Sequence, residues 1–278
     1  MPALSRRDVL RLAGAATVGV GTGLAAQGYL FERHAIRVER VELPLAGLPP
    51  ALDGLTVGLL TDVHHSALVP AADVVRSVEL LNAERPDLIV LGGDYVSFTD
   101  RDYMGPVAEM LGALDAPHGI FAIIGNHDDR RHMPAALSRE GIETLADART
   151  DVEIRGERLH LAGLEFWTKS LDRIAEVVRG AGTPLLLLAH DPRRIVEAAA
   201  LGVAGVLSGH THGGQIVLPG VGAIAARKFP IAAGRLTRHG SEMFVSRGVG
   251  TVVVPLRINC PPEVAVVTLR AREPRLPQ

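Results

Sequence analysis

The stretch Leu207-Ser208-Gly209-His210-Thr211-His212-Gly213-Gly214 sets two histidines two residues apart, directly after a short apolar run and directly before a glycine pair. Histidines at i and i+2 on one side of an extended segment suit a divalent cation, for which imidazole is a good ligand. Upstream, four more apolar runs end in the same way. Leu186-Leu187-Leu188-Ala189 delivers His190, and Ile123-Ile124-Gly125 delivers Asn126-His127-Asp128. Leu88-Ile89-Val90-Leu91 leads through Gly92-Gly93 to Asp94, and Leu59-Leu60-Thr61 leads to Asp62 and His64, again two apart. Runs of this length bounded by Gly and polar residues read as buried strands. Strands that each release a polar group at one end predict an α/β fold with its site along a sheet edge. Taken singly, each junction also has an ordinary reading. A histidine after a strand commonly satisfies a hydrogen bond, and Gly-Gly-Asp commonly makes a turn.

Composition narrows the chemistry. The chain has 278 residues, 47% hydrophobic and 22% charged, enough apolar material for a packed core. Its 29 Lys and Arg against 31 Asp and Glu leave a net charge of −2, so there is no basic footprint and no stable nucleic-acid partner is expected. An anion must instead be held by a local site. The single cysteine, Cys260, excludes an intramolecular disulfide framework and any CxxC zinc motif. A metal must therefore rest on His, Asp, Glu or Asn. Lys169 and Lys228 are the only lysines, which reads as a coding bias toward arginine.

The N-terminus reads as an address. Ser5-Arg6-Arg7-Asp8-Val9-Leu10-Arg11 precedes a Gly- and Ala-rich run over 12–30 that carries no charge. It resembles the twin-arginine leader pattern S-R-R-x-F-L-K, with Val9 for Phe and Arg11 for Lys. The run is also long enough to span a bilayer, which takes roughly 17–25 residues, although five glycines weaken it. The expected division is 1–31 as a signal or membrane anchor, with any cleavage near Ala25–Ala26, and 32–278 as the folded domain. The implied partner is the twin-arginine export machinery. The implied location is the periplasm or the outer face of the cytoplasmic membrane of a bacterium, with membrane association if the segment is retained.

Across the remainder the pattern predicts strands over 55–60, 87–91, 120–124, 159–164, 184–189, 205–208, 215–218, 243–246 and 264–269. Helices are expected over 72–84, 104–114, 134–139, 171–179 and 192–200, the last with Asp191 as N-cap and Pro192 at its first position.

The five polar junctions together resemble the calcineurin-like metallophosphoesterases, whose pattern D-x-H, G-D, G-N-H-D/E, H, G-H-x-H is matched in order. The matching residues are Asp62/His64, Gly93-Asp94, Gly125-Asn126-His127-Asp128, His190 and Gly209-His210-Thr211-His212. Gly213-Gly214-Gln215-Ile216, Ser246-Arg247-Gly248 and Pro261-Pro262-Glu263 further resemble the YkuE/YaeI-type exported phosphohydrolases. That group is similar in turn to the pyrophosphatases of UDP-2,3-diacylglucosamine. A metallo-β-lactamase would need H-x-H-x-D-H, and the chain continues His212-Gly213-Gly214-Gln215 instead.

The resemblance implies a four-layer α/β/β/α sandwich of two mixed sheets. It also implies a two-metal centre bridged by Asp94, with Asp62, His64 and His212 on one ion and Asn126, His190 and His210 on the other. Mixed oxygen and nitrogen ligands favour Mn²⁺, Fe or Zn²⁺. Two such cations outweigh the carboxylates of Asp62 and Asp94, which suits an anionic phosphoester attacked by a metal-activated hydroxide. His127, by resemblance, protonates the leaving oxygen or stabilises the transition state. Protein phosphatases of the superfamily support that histidine with an Asp three residues after the bridging one, where this chain has Ser97, which argues against a phosphoprotein substrate. Arg247 is a candidate phosphate grip, or a structural arginine. His65 reads as a supporting or exposed residue, Phe166 and Trp167 as packing groups or as groups that stack on a base or contact lipid, and Cys260 as a small buried residue.

The expected function is hydrolysis of a phosphodiester or pyrophosphate bond on an envelope lipid or nucleotide-sugar. A phosphomonoesterase is the enzymatic alternative, and a non-catalytic metal-binding envelope module is the alternative of another class.

Overall fold

The computed structural model describes residues 5–272. The first residues of the expected leader (1–4) and the last of the expected domain (273–278) lie outside these. Helix α1 (Arg6–Leu30) is followed by β1 (Arg37–Leu45), β2 (Thr56–Leu60), α2 (Ala71–Ala83), β3 (Leu88–Leu91), α3 (Met104–Leu111), β4 (Ile120–Ala122), α4 (Met133–Arg139) and β5 (Glu143–Thr144). The second half runs β6 (Ala148–Ile154), β7 (Glu157–Gly163), α5 (Leu171–Val178), β8 (Leu185–Leu188), α6 (Ile195–Ala200), β9 (Gly205–Ser208), β10 (Val217–Leu218), β11 (Gly222–Ala223), β12 (Gly234–Arg238), β13 (Ser241–Val245) and β14 (Glu263–Ala271).

Leu88-Ile89-Val90-Leu91 is apolar at every position, so both faces of β3 must be covered. They are. One face meets helices and the other a second sheet, and all four residues are buried. The first sheet has the order β1-β14-β2-β3-β4-β5 and the second β12-β13-β9-β8-β7-β6. Both are mixed. β14 pairs parallel with β1 and antiparallel with β2, while β12 pairs antiparallel with β13 beside the parallel trio β13, β9 and β8. The inner faces meet in one core containing Val57, Leu59, Leu161, Leu186 and Phe244. Each such side chain contributes roughly 1.5–3 kcal/mol by leaving water.

Helices close both outer faces. On α2 the buried positions Val74, Ser77, Val78 and Leu81 follow the helical i, i+3, i+4, i+7 spacing, so one stripe packs on the first sheet. Ile174 of α5 and Ile195 of α6 cover the second. This is the expected four-layer sandwich.

Strands β1, β5, β6, β11 and β12 are not among those expected, and two expected elements take another form. Residues 215–218 do not form one strand: Gln215 has φ 54° after a short 3-10 turn, Ile216 makes an isolated bridge to Ile258, and Val217–Leu218 pairs in a small hairpin. The expected helix over 192–200 begins as a 3-10 turn, Pro192–Arg194, capped by Asp191 as expected, before α6.

Helix α1 is the one segment among the described residues long and apolar enough to cross a membrane. Ser5 and Asp8 form a capping box at its start. Its contacts with the body begin at Gly28, where a Cβ would lie 2.3 Å from the Arg257 carbonyl oxygen. The Cys260 amide donates to Glu32 Oε1 at 2.6 Å, and His34 pairs with Asp73 at 2.7 Å.

Candidate metal centre

Parallel strands β2, β3 and β4 of one sheet and β8 and β9 of the other end at a common edge, and their following loops interlock. The His210 amide donates to both oxygens of Asp62 at 3.0 Å, and His190 Nδ1 donates to the Gly92 carbonyl at 2.7 Å. The loops turn sharply. Asp62, His64, Asp94, His210 and His212 all have φ between 51° and 71°, a region that costs non-glycine residues energy and is held by surrounding contacts. Asp62/His64 and His210/His212 therefore do not share the side of an extended segment. The positive φ values lie at the donor residues themselves, and His210 and His212 join different groups of donors.

The donor atoms form two clusters. Asp62, His64 and His212 make one, and Asp94, His190 and His210 the other, with the ligand atoms of each within 4.8 Å of one another. Asp94 joins them. Its Oδ1 accepts from the His127 amide at 2.8 Å, while Oδ2 lies 3.5 Å from His64 Nε2 in one cluster and 3.1 Å from His190 Nε2 in the other. The 3.1 Å approach has no hydrogen-bond geometry, and His190 Nε2 is left without a partner. Asn126 Oδ1 is likewise buried and unpartnered. His64 Nε2 and His212 Nε2 face each other at 3.1 Å. Buried polar atoms ordinarily find partners, so unpartnered Asn126 Oδ1 and His190 Nε2, converging with the other donors on two carboxylates, fit cations.

The electrostatics agree. Burial drives His64 down to about 3, and burial with the neighbouring His190 drives His210 down to about 4, leaving lone pairs available as metal ligands need. His212 is lowered by burial as well. Burial would raise Asp94, but the charge of His190, 3.1 Å away, overrides it and holds the carboxyl far below its ordinary range. The reverse holds for His190. Its burial lowers it, yet Asp94 lifts it to about 10, so without a cation the site draws a proton to this ring.

Close approach of the loops requires glycine. A Cβ on Gly209 would lie 2.2 Å from Asp62 Oδ2, and one on Gly125 would lie 2.1 Å from Asp94 Oδ1. Asp128 ties the loops together: it accepts from the amides of Asp94 (2.8 Å), Tyr95 (2.8 Å) and Gly125 (2.9 Å). Burial and the Asp94 charge push it up to about 7 against those three bonds.

His127 stands at the edge of the clusters, half-buried, its ring 4.9 Å from that of His64 and 5.0 Å from that of Phe98. Asp128 does not support it. The Phe98 amide donates to His127 Nδ1 at 3.0 Å, which assigns the ring proton to Nε2. Ser97 contacts His64 Nδ1 at 3.2 Å instead.

Arg247 is not brought into this group. Its guanidinium pairs with buried Glu263 and lies 3.7 Å from Glu39, so a phosphate would have to displace a buried carboxylate to reach it. His65 is buried, not exposed, and bonds the Val69 carbonyl. Cys260 is buried against the His212 carbonyl.

Two features escaped the sequence. Phe166 and Phe229 flank His210, each at 5.2 Å, and the chain's two lysines stand over them, Lys169 5.0 Å from Phe166 and Lys228 5.1 Å from Phe229. Two isolated lysines among many arginines carried no pattern that could have revealed this.

The family model for calcineurin-like phosphoesterases matches residues 55–214, the span that holds both clusters. The chain belongs to that family. The chain is 30% identical to the uncharacterized metallophosphoesterase YkuE of Bacillus subtilis, covering 98% of this chain and 99% of that one. It is 30% identical to the phosphodiesterase YaeI of Escherichia coli, over 96% and 99%. A Danio rerio transmembrane protein with a metallophosphoesterase domain is 29% identical over 89% of this chain and 60% of its own. The phosphoesterase thus combines a metallophosphoesterase fold with a site of dimetal type.

Proposed function

We infer that this chain hydrolyses a phosphodiester or pyrophosphate bond, on an envelope lipid or nucleotide-sugar, after export by the twin-arginine pathway. The observation that carries the reading is the Asp94 carboxylate, whose Oδ2 lies 3.5 Å and 3.1 Å from one histidine of each donor cluster. Similarity to a phosphodiesterase supports diester chemistry. The leader and the helix over 6–30 support residues 1–31 as signal or anchor and 32–278 as the catalytic domain.

Asp62, His64 and His212 would hold one divalent ion, and Asn126, His190 and His210 the other, with Asp94 shared; Mn²⁺, Fe or Zn²⁺ suits this donor set. When bound, the ions supply charge to neutralise phosphate oxygens and to activate water. The protein's own groups do the rest. Hydrogen bonds from His210 N and Thr61 Oγ1 fix Asp62, and one from His127 N fixes Asp94 Oδ1, so the carboxylates are oriented before substrate arrives. His127, its Nδ1 occupied by the Phe98 amide, offers Nε2–H to the leaving oxygen.

The test is hydrolysis of bis- and mono-p-nitrophenyl phosphate by the detergent-solubilised chain, chelated and then given Mn²⁺, Zn²⁺ or Mg²⁺. Metal-restored turnover favouring the diester is expected. A monoester preference would replace the reading with a phosphomonoesterase. No turnover on these esters or on UDP-2,3-diacylglucosamine, with two ions bound, would leave the non-catalytic module.

A further inference from the structure

Beside the donor clusters lies a cleft of about 430 Å³ whose lining combines metal-ligand histidines with apolar side chains. His210 and His212 contribute metal-ligand groups to its wall. The rest of the lining is largely apolar: Ile216, Ala225, the turn over 252–254, and Phe229, whose ring lies 5.2 Å from that of His210. That turn is built to display a hydrophobic tip. Val253 is 74% exposed, and its φ of 65° is a region that β-branched residues avoid. The Val254 amide bonds the Val252 carbonyl at 2.7 Å, closing a tight turn around it. Gln215 pins both shoulders, donating to the Val254 carbonyl at 3.0 Å and accepting from the Val252 amide at 2.8 Å. The turn is held from two sides, and Val253 stands with Val254, Leu68 and Phe98 in an exposed apolar group, the kind of patch that marks contact with an apolar partner.

Two further observations say what that is. Val253 also borders a second apolar cleft, shared with exposed Leu68 and Phe98, the latter packed on His127. The tip therefore stands between two apolar approaches to the same centre. The segment following it is where the membrane-length helix docks: Gly28 packs on Leu256, Arg257 and Ile258, and Arg33 bonds the Leu68 carbonyl at 3.3 Å. The apolar rim and the helix are thus continuous, and Lys228 at the cleft adds a positive charge suited to an anionic headgroup.

The geometry points to a lipid phosphoester taken from a bilayer, with Val253 seated among the acyl chains and one chain of the substrate lying in the 210–229 cleft while its phosphate meets the metal centre. The inference rests on the phosphodiesterase reading and narrows it to a substrate with a long hydrocarbon substituent.

The test is a homologous series, methyl, butyl, octyl and dodecyl p-nitrophenyl phosphate, below their micelle concentrations, with the metal-loaded full chain. Water adds to phosphorus and the bond to p-nitrophenolate breaks, giving the alkyl phosphate at every chain length. The expected result is kcat/KM rising with chain length, by up to about fourfold per methylene buried. In Ala225→Trp, which fills the cleft, and Val253→Asp, the octyl-to-methyl ratio should fall at least about tenfold, because most of the buried methylenes lose their contact. Equal rates across the series, or a ratio untouched by both substitutions, would overturn the acyl cleft while leaving the phosphodiesterase intact. Failure of every ester with two metals bound would instead remove the underlying reading. Bilayer contact is read separately on Val253→Cys carrying an environment-sensitive fluorophore, in phosphatidylglycerol vesicles. Emission shifted to the blue and quenched by lipid-borne nitroxide is expected, and emission characteristic of water would overturn the membrane seat.

Discussion

Replacing Asp128 with alanine should destabilise the protein severely, although this residue lies between sequence positions read as catalytic and contributes no ligand. Its carboxylate is buried and accepts the amides of Asp94, Tyr95 and Gly125 at 2.8, 2.8 and 2.9 Å. In the Ala variant those donors face an apolar methyl and a small space. Each buried donor left without a partner costs about 1–3 kcal/mol. A water in the vacated volume recovers part of that, so the net loss is about 3–5 kcal/mol. For a domain of this size, roughly 2–4 °C of Tm per kcal/mol converts this to a drop of about 10 °C. Urea denaturation and thermal scans of metal-free and metal-loaded protein measure it. Asp128→Asn separates shape from bonding: its NH2 would face an amide donor, so it should not restore stability. Because the same amides set the positions of Asp94 and Asn126, turnover should fall with stability. A loss below about 1 kcal/mol, no more than a surface substitution gives, would refute this account of how the two loops are joined.

Three other substitutions probe the centre. Asp94→Asn removes the carboxylate shared by both clusters, so bound metal, counted by mass spectrometry of the purified protein, should fall from two ions to one or none and activity to background; two retained ions would contradict the bridging role. His127→Ala should keep both metals and lose about 10²- to 10⁴-fold in turnover, the range for a general acid, and an unchanged rate would remove the residue from the mechanism. Gly209→Ala places a Cβ where Asp62 Oδ2 lies, 2.2 Å away, so it should cost about 1–3 kcal/mol and speed metal loss to chelator, whereas a wild-type Tm and metal retention would show that the loop yields freely.

What the sequence made legible follows from burial. The strands read in advance, such as Leu88–Leu91, Leu185–Leu188 and Gly205–Ser208, lie inside the sheets with every residue buried, and a short apolar run announces that environment. In the two large sheets, the strands overlooked, β1, β5, β6 and β12, are the four edges. In β1 charged residues fall on both faces, Arg37 and Glu39 on one and Arg40 and Glu42 on the other, and only Leu43 and Leu45 are buried. Such a strand differs little from a polar loop until its neighbour is known. The ordered junctions named the donors, and the structure gathers them into two clusters. The backbone reason offered for the i and i+2 spacing was wrong, since positive φ at Asp62, His64, His210 and His212 turns these segments away from the extended form. The surroundings were illegible for a different reason. Phe166, Phe229, Lys169 and Lys228 come from two distant segments and meet only around His210, and the Glu263 that withdraws Arg247 comes from the final strand.

Anomalous diffraction from crystals of the full chain grown with Mn²⁺ and separately with Zn²⁺ tests the central claim most directly. The account predicts two peaks flanking Asp94, one in contact with Asp62, His64 and His212 and the other with His190, His210 and the Asn126 oxygen. A single ion, or two that do not share Asp94, would contradict it.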